Sequence, residues 1–154
     1  MISKHEMMDL IVDVAPGFGP ILREFKEEWE PEGVDMPYYL VICDLVRYMA
    51  VLETENDVST LNKMFQVVEQ WHIEGDKYVR EAASIGMLED LQNTNIVGPD
   101  GPDKFYTYLG PVSKRWWKKV ERFWSHGELI PEELKPAWID WLYKKKKLKK
   151  NTEE

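Results

Sequence analysis

One cysteine, three histidines and no long apolar run set the first limits on this 154-residue chain. A lone Cys43 cannot close an internal disulfide, and its neighbours in "LVICDLV" are apolar at helical spacing. It therefore reads as a small buried hydrophobe in a reducing compartment. No stretch approaches the roughly 18 uninterrupted apolar residues of a membrane span, and "MISKHEMMDL" lacks the basic segment and long apolar run of a secretory leader. A cytoplasmic chain is expected. Strand-like alternation never runs beyond a few residues, which argues against a sheet. At this length a single domain can bury a core without disulfide or metal support.

What is abundant is charge of one sign. Residues 1–100 hold 7 Lys and Arg against 20 Asp and Glu, a net of −13, whereas residues 101–154 hold 13 against 8, a net of +5. An acidic body repels nucleic acid, whose binders gather cations against phosphate. It attracts a basic protein and speeds its capture. The plainer role of such a surface is solubility.

The apolar residues fall three and four apart, the period of helices packed on one side. "SKHE" at Ser3 to Glu6 has the form of a capping box opening a helix to about Val14. After "APGFGP", Pro20 can start a second helix striped by Ile21, Leu22, Phe25 and Trp29. A third, from about Pro37 to Glu53, carries Val41, Ile42, Leu45, Val46, Met49 and Leu52 and is expected to be central. Following the turn "TENDVST", Leu61, Met64, Phe65, Val68 and Trp71 mark a fourth, which Gly75 is expected to stop in a left-handed conformation.

"EGDKYVREAASIGMLEDLQN" then reads as one helix capped by Asp76, with Val79, Ala83, Met87 and Leu91 facing inward. Its small residues Ala82, Ala83 and Gly86 allow another helix to approach closely, and the glycine costs about 1 kcal/mol of helix propensity unless such packing offsets it. Asp76, Glu81, Glu89 and Asp90 are expected to point outward. "NTNIVGPDGPDKFYTYLGPVS" should hold no long regular element. Ser113 is expected to cap a helix bearing Trp116, Trp117, Val120, Phe123 and Trp124, closed by Gly127. Pro131 and Pro136 look like further helix starts, with Trp138, Trp141 and Leu142 turned inward. The expected architecture is all-α: about seven antiparallel helices in a compact bundle or a HEAT-like stack, with residues 1–143 as one domain and a basic tail at 144–154 that frays. No exact period marks a repeat array.

A search for chemistry finds little. "EQWH" puts Glu69 one turn before His72, but a carboxylate-bridged metal site wants a second such pair, and neither His5 nor His126 follows a glutamate by three residues. No metal or other cofactor is therefore expected, and His72 reads as structural. Cys43 has no evident base. Neither "PGFGP" nor "GPDGPDK" has the strand, glycine loop and helix order that cradles phosphate. "KRWWKKVERFW" could stack bases and "WLYKKKKLKK" could lie on an anionic membrane. Tryptophans at helical spacing are more simply core and the lysines their solvated face, so neither nucleic acid nor membrane is the expected partner.

One stretch carries a family likeness. Glu74, Gly75, Asp76, Val79, Met87, Leu88, Glu89 and Asn93, with "PYYLVICDLVRYM" before them and "YLGPVSKRWWKKVERFW" after, resemble a pattern in small helical bacterial proteins across residues 36–126. Several of those look like immunity proteins encoded beside secreted or contact-delivered toxins, as in contact-dependent growth inhibition. The resemblance assigns no functional residue. It implies a protein without catalytic residues that neutralises a cognate toxin, with a nuclease whose basic cleft an acidic inhibitor can cover as the expected kind. From the density of acids, the candidate contacts are Glu27, Glu28, Glu30, Glu32, Asp35, Glu53, Glu55, Asp57, Glu89 and Asp90; Tyr38, Tyr39 and Tyr78 could anchor a partner, but core or rim packing is the expected role of each. Reversing Glu53, Glu55 and Asp57 together is expected to weaken such binding without unfolding the chain. A helical adaptor and an enzyme built from carboxylates and His72 are the alternatives.

Overall fold

Spacing by threes and fours becomes helix along most of residues 1–33 and 36–126, the residues that the computed structural model describes. In order come α1 (Met7–Val14), a 3-10 turn (Pro16–Phe18), α2 (Gly19–Trp29), a second 3-10 turn (Glu30–Glu32), α3 (Tyr38–Thr54) and α4 (Val58–Glu74). They are followed by α5 (Lys77–Glu81), a π-helical segment (Ala82–Leu88), α6 (Glu89–Leu91), α7 (Thr94–Val97), α8 (Gly101–Tyr106) and α9 (Pro111–His126). The fold is all-α. Among the described residues the only strand-like pairing is an isolated parallel bridge between Ile2 and Gly75, and no helix there is long and apolar enough to cross a membrane.

The core is organised around α4 and the π-helical segment. Helix α4 packs against α1, α3 and α9, while the π segment packs against α3, α4 and α9. Helices far apart in sequence thus meet, whereas in a solenoid each unit touches only its neighbours; of the two architectures expected, this is the bundle. Trp71 on α4 is fully buried, and its indole N–H donates to the Met7 carbonyl of α1 at 3.2 Å. Helix α3 buries the six apolar residues that its spacing picks out. Cys43, expected to be buried with them, is only half-buried: it sits about 100° round the helix from Ile42, at the edge of the stripe.

The small residues of the 76–93 stretch do what their size suggests. A Cβ on Gly86 would lie 3.0 Å from a ring carbon of Tyr39 and 3.2 Å from the end of Ile42, so the absence of a side chain lets α3 cross closely there. Asp76 caps α5, its carboxylate accepting from the Val79 N–H at 2.9 Å. Two expectations fail. Glu81 and Asp90 are buried, at 4% and 6% exposure, because α3, α4 and α9 surround the segment between them and leave almost no outward face.

Gly75 is not a left-handed cap either. Its backbone is extended, at φ −69° and ψ 150°, which lets it bridge to Ile2 at the N-terminus: Ile2 N–H donates to Glu74 O and Asp76 N–H to Ile2 O, each at 2.8 Å. Glycine is needed there for space, since a Cβ would run into the Trp71 carbonyl and sit 2.6 Å from a Val79 methyl. At Ser3 to Glu6, one half of the expected capping box is present, the Glu6 carboxylate accepting from the Ser3 N–H at 3.0 Å. The helix itself begins later, at Met7. The connector holds only the short helices α7 and α8. The expected closure by Gly127, the helix starts at Pro131 and Pro136 and the tail at 144–154 lie outside the described residues.

Candidate functional site

Two places gather polar chemistry. The first joins α4 to the start of α9. Glu69 and His72 occupy successive turns of α4; the Ser113 N–H donates to Glu69 Oε1 at 3.0 Å, and the Ser113 hydroxyl lies 3.0 Å from His72 Nδ1. The α9 N-terminus is therefore capped by a carboxylate from another helix, which suits both its free amides and its dipole. Ser113, read as the cap from sequence, lies inside the helix that begins at Pro111. Gly110 makes this approach possible, because a Cβ there would overlap the Glu69 carboxylate.

His72 Nδ1 is also 3.1 Å from the Val68 carbonyl one turn back. A proton on Nδ1 donates to that carbonyl; placed on Nε2, which has no partner among the described residues, it would be a buried N–H without an acceptor. Burial lowers the imidazole pKa to about 4, outweighing the upward pull of the Val68 carbonyl. With Ser113 and His72 at 0% and 5% exposure, the cluster is closed to any substrate in this conformation. It ties α9 to α4. Gln92 adds a second tie, donating to the Trp117 carbonyl at 2.9 Å. No group of three His, Cys, Asp or Glu that could hold a metal forms among the described residues.

The second place is open. Between α2 and α3 runs a groove of about 590 Å³, with Phe25, Trp29 and Tyr48 in its walls and Glu24, Glu28 and Asp44 on its rim. Leu40 and Val51 of α3 also line it, exposed by 40% and 53%. Arg47 is its basic residue and faces Asp44 at 3.5 Å. A neighbouring groove of about 510 Å³ shares Arg47 and Val51 and extends over Glu53 and Glu55 towards Ile96 and Val97 of α7. On the far side of α2, Glu27 and Glu30 line a third hollow with Asp9 and Lys26, which pair at 3.6 Å.

The acids chosen from sequence thus separate into kinds. Glu27, Glu28, Glu30, Glu32 and Glu55 are exposed and have no ion-pair partner among the described residues, and Glu24 joins them. Glu53 is half-buried and meets Lys104 of α8 at 3.5 Å. Asp57 is the cap of α4, accepting from the N–H and hydroxyl of Thr60 at 3.2 and 2.9 Å. Glu89 is half-buried, and Asp90 is too enclosed to contact a partner. Asp35 lies outside the described residues. Tyr38 and Tyr39 are core residues at 3% and 9% exposure, with only Tyr78 half-exposed.

Sequence reading missed Leu40, Asp44, Arg47 and Val51, which recur at steps of four, three and four along α3. That recurrence is the signal: a second stripe behind the core-facing one.

A family model matches residues 8–125, which take in nearly all of α1 through α9. The chain belongs to this family, a domain of unknown function (DUF7674). The DUF7674 match thus covers both the closed cluster and the open groove. No curated protein and no solved structure matches the chain.

Proposed function

We propose that this DUF7674 protein is a binding protein that captures a basic protein partner on its α2–α3 face, and that the partner is a toxin which it neutralises in the cytoplasm. The observation that carries the reading is a coincidence of surfaces: glutamates without cationic partners among the described residues stand beside exposed Leu40 and Val51. Acids alone would serve solubility. Acids around an apolar trough have the make-up of an interface, with a desolvated centre that supplies affinity and a charged rim that guides approach. The sign of the rim favours a cationic protein over nucleic acid. Immunity, as against capture in general, rests on the sequence resemblance to proteins encoded beside toxins.

Co-expression with the product of the adjacent upstream gene tests this directly. The expected result is a complex that co-purifies and growth that is restored when this chain is present. A Glu24→Lys, Glu28→Lys double variant should keep its fold, lose most of the complex at low salt and lose protection. Folded, expressed proteins that neither associate nor affect growth would overturn the pairing.

A further inference from the structure

We infer that the α2–α3 groove receives an amphipathic, cationic helix of the partner protein, laid along α3. The inference rests on the binding role proposed above and specifies what binds. On α3, Leu40, Asp44, Arg47 and Val51 form one line, a ridge about 16 Å long at the rise of an α-helix. On α2, Ile21, Glu24, Phe25, Glu28 and Trp29 form the facing ridge. A trough between two helical ridges accepts the side-chain rows of a third helix, and about three turns would fill this one.

The chemistry of the walls sets the face that such a helix presents. Leu40, Val51 and Trp29 take an apolar stripe; Glu24, Glu28 and Asp44 flank it with negative charge. Arg47, the groove's cation, already faces Asp44 at 3.5 Å, so an anionic helix would meet repulsion from both walls. A strand is a poorer fit, because helical walls offer no open backbone edge to extend. A second copy of this chain would bring a like acidic face to an isologous contact.

The test titrates the full chain with a fluorescein-labelled peptide of about 14 residues, Leu and Lys placed at helical spacing, beside a peptide of the same composition scrambled to abolish its apolar face. The expected result is saturable 1:1 binding of the amphipathic peptide, a gain in its helical circular dichroism, and binding weaker by about tenfold or more for the scrambled peptide. Glu28→Lys and Val51→Asp should each produce a loss of about the same size with the melting temperature unchanged.

Equal binding of the scrambled peptide would overturn the inference by showing that charge alone suffices. So would failure of the amphipathic peptide to bind. Binding that emerges only after Lys144→Glu, Lys145→Glu, Lys146→Glu and Lys147→Glu would identify the chain's own basic segment as the occupant, and self-association abolished by Val51→Asp would identify a second copy; either overturns the inference. Peptide failure alongside intact protection would leave immunity standing on another face. Peptide binding without protection would leave the groove standing and remove the toxin.

Discussion

Glu69 and Glu28 are the same residue type on neighbouring parts of one bundle, and they behave oppositely. Glu69 has an oxygen fixed on the first turn of α9 by a residue 44 positions away. Glu28 stands exposed on a groove rim. The α4–α9 junction is polar chemistry closed into structure, and the α2–α3 face is polar chemistry left open to solvent. What separates them is whether the fold delivers a donor from far along the chain. Density of acids in the sequence carries no information on that point.

Acid should break the closed region first. The folded His72 imidazole has a pKa near 4, below its ordinary 6.5, so the unfolded chain takes up the proton at higher pH than the folded one. Stability contributed by this group is intact above about pH 7, falls as pH is lowered through 6.5, and levels off below about 4. The loss is on the order of 3 kcal/mol. Urea unfolding of the native chain and of His72→Gln between pH 4 and 8 should show a shallower slope for the variant. Equal slopes would assign acid sensitivity to other groups.

Glu69→Ala removes the cap that α4 lends to α9 and strands the Ser113 N–H, at a cost of about 2 kcal/mol in thermal or urea unfolding. A change under about 0.5 kcal/mol would mean that solvent replaces the carboxylate. Asp57 lies between the two extremes, being near the acidic surface yet engaged as a cap. Reversal of Glu53, Glu55 and Asp57 together, which sequence alone suggests is harmless to the fold, should therefore cost about 1 kcal/mol or more, chiefly through Asp57. Restoring Asp57 in the triple variant should recover most of it. The smallest effect belongs to the open face: Glu24→Lys with Glu28→Lys should shift stability by no more than about 0.5 kcal/mol. A larger loss would show that these glutamates also support the fold.

The helices were legible because their signal is local. The α3 stripe, the Asp76 cap and the close crossing at Gly86 can each be read within one or two turns of sequence. The trans cap at α9 was not, since it needs Gly110 and Glu69 in contact. Burial of Glu81 and Asp90 was missed for a related reason: periodicity assigns a helix one inner face, and this one is enclosed by three neighbours. On the candidate surface, acid density placed Glu28, which lines the groove, in one group with Asp57, a cap, and Asp90, a core residue. Leu40 and Val51 are harder to read because the strong core stripe of α3 marks the helix as central and hides its second, exposed stripe.

The π-helical segment between Glu81 and Glu89 bears on how chain length relates to position. Its hydrogen bonds close over five residues where an α-helix uses four, so it accommodates a surplus residue within a nearly unchanged path. A chain one residue shorter between those two glutamates could wind there as ordinary α-helix and still deliver Asp90 and Leu91 to the interior. The same deletion in α4 ahead of Glu69 would instead turn everything beyond it by about 100°, carrying Glu69 and His72 away from α9. A deletion therefore has unequal consequences along this bundle, and residues 82–88 are where the fold can absorb one.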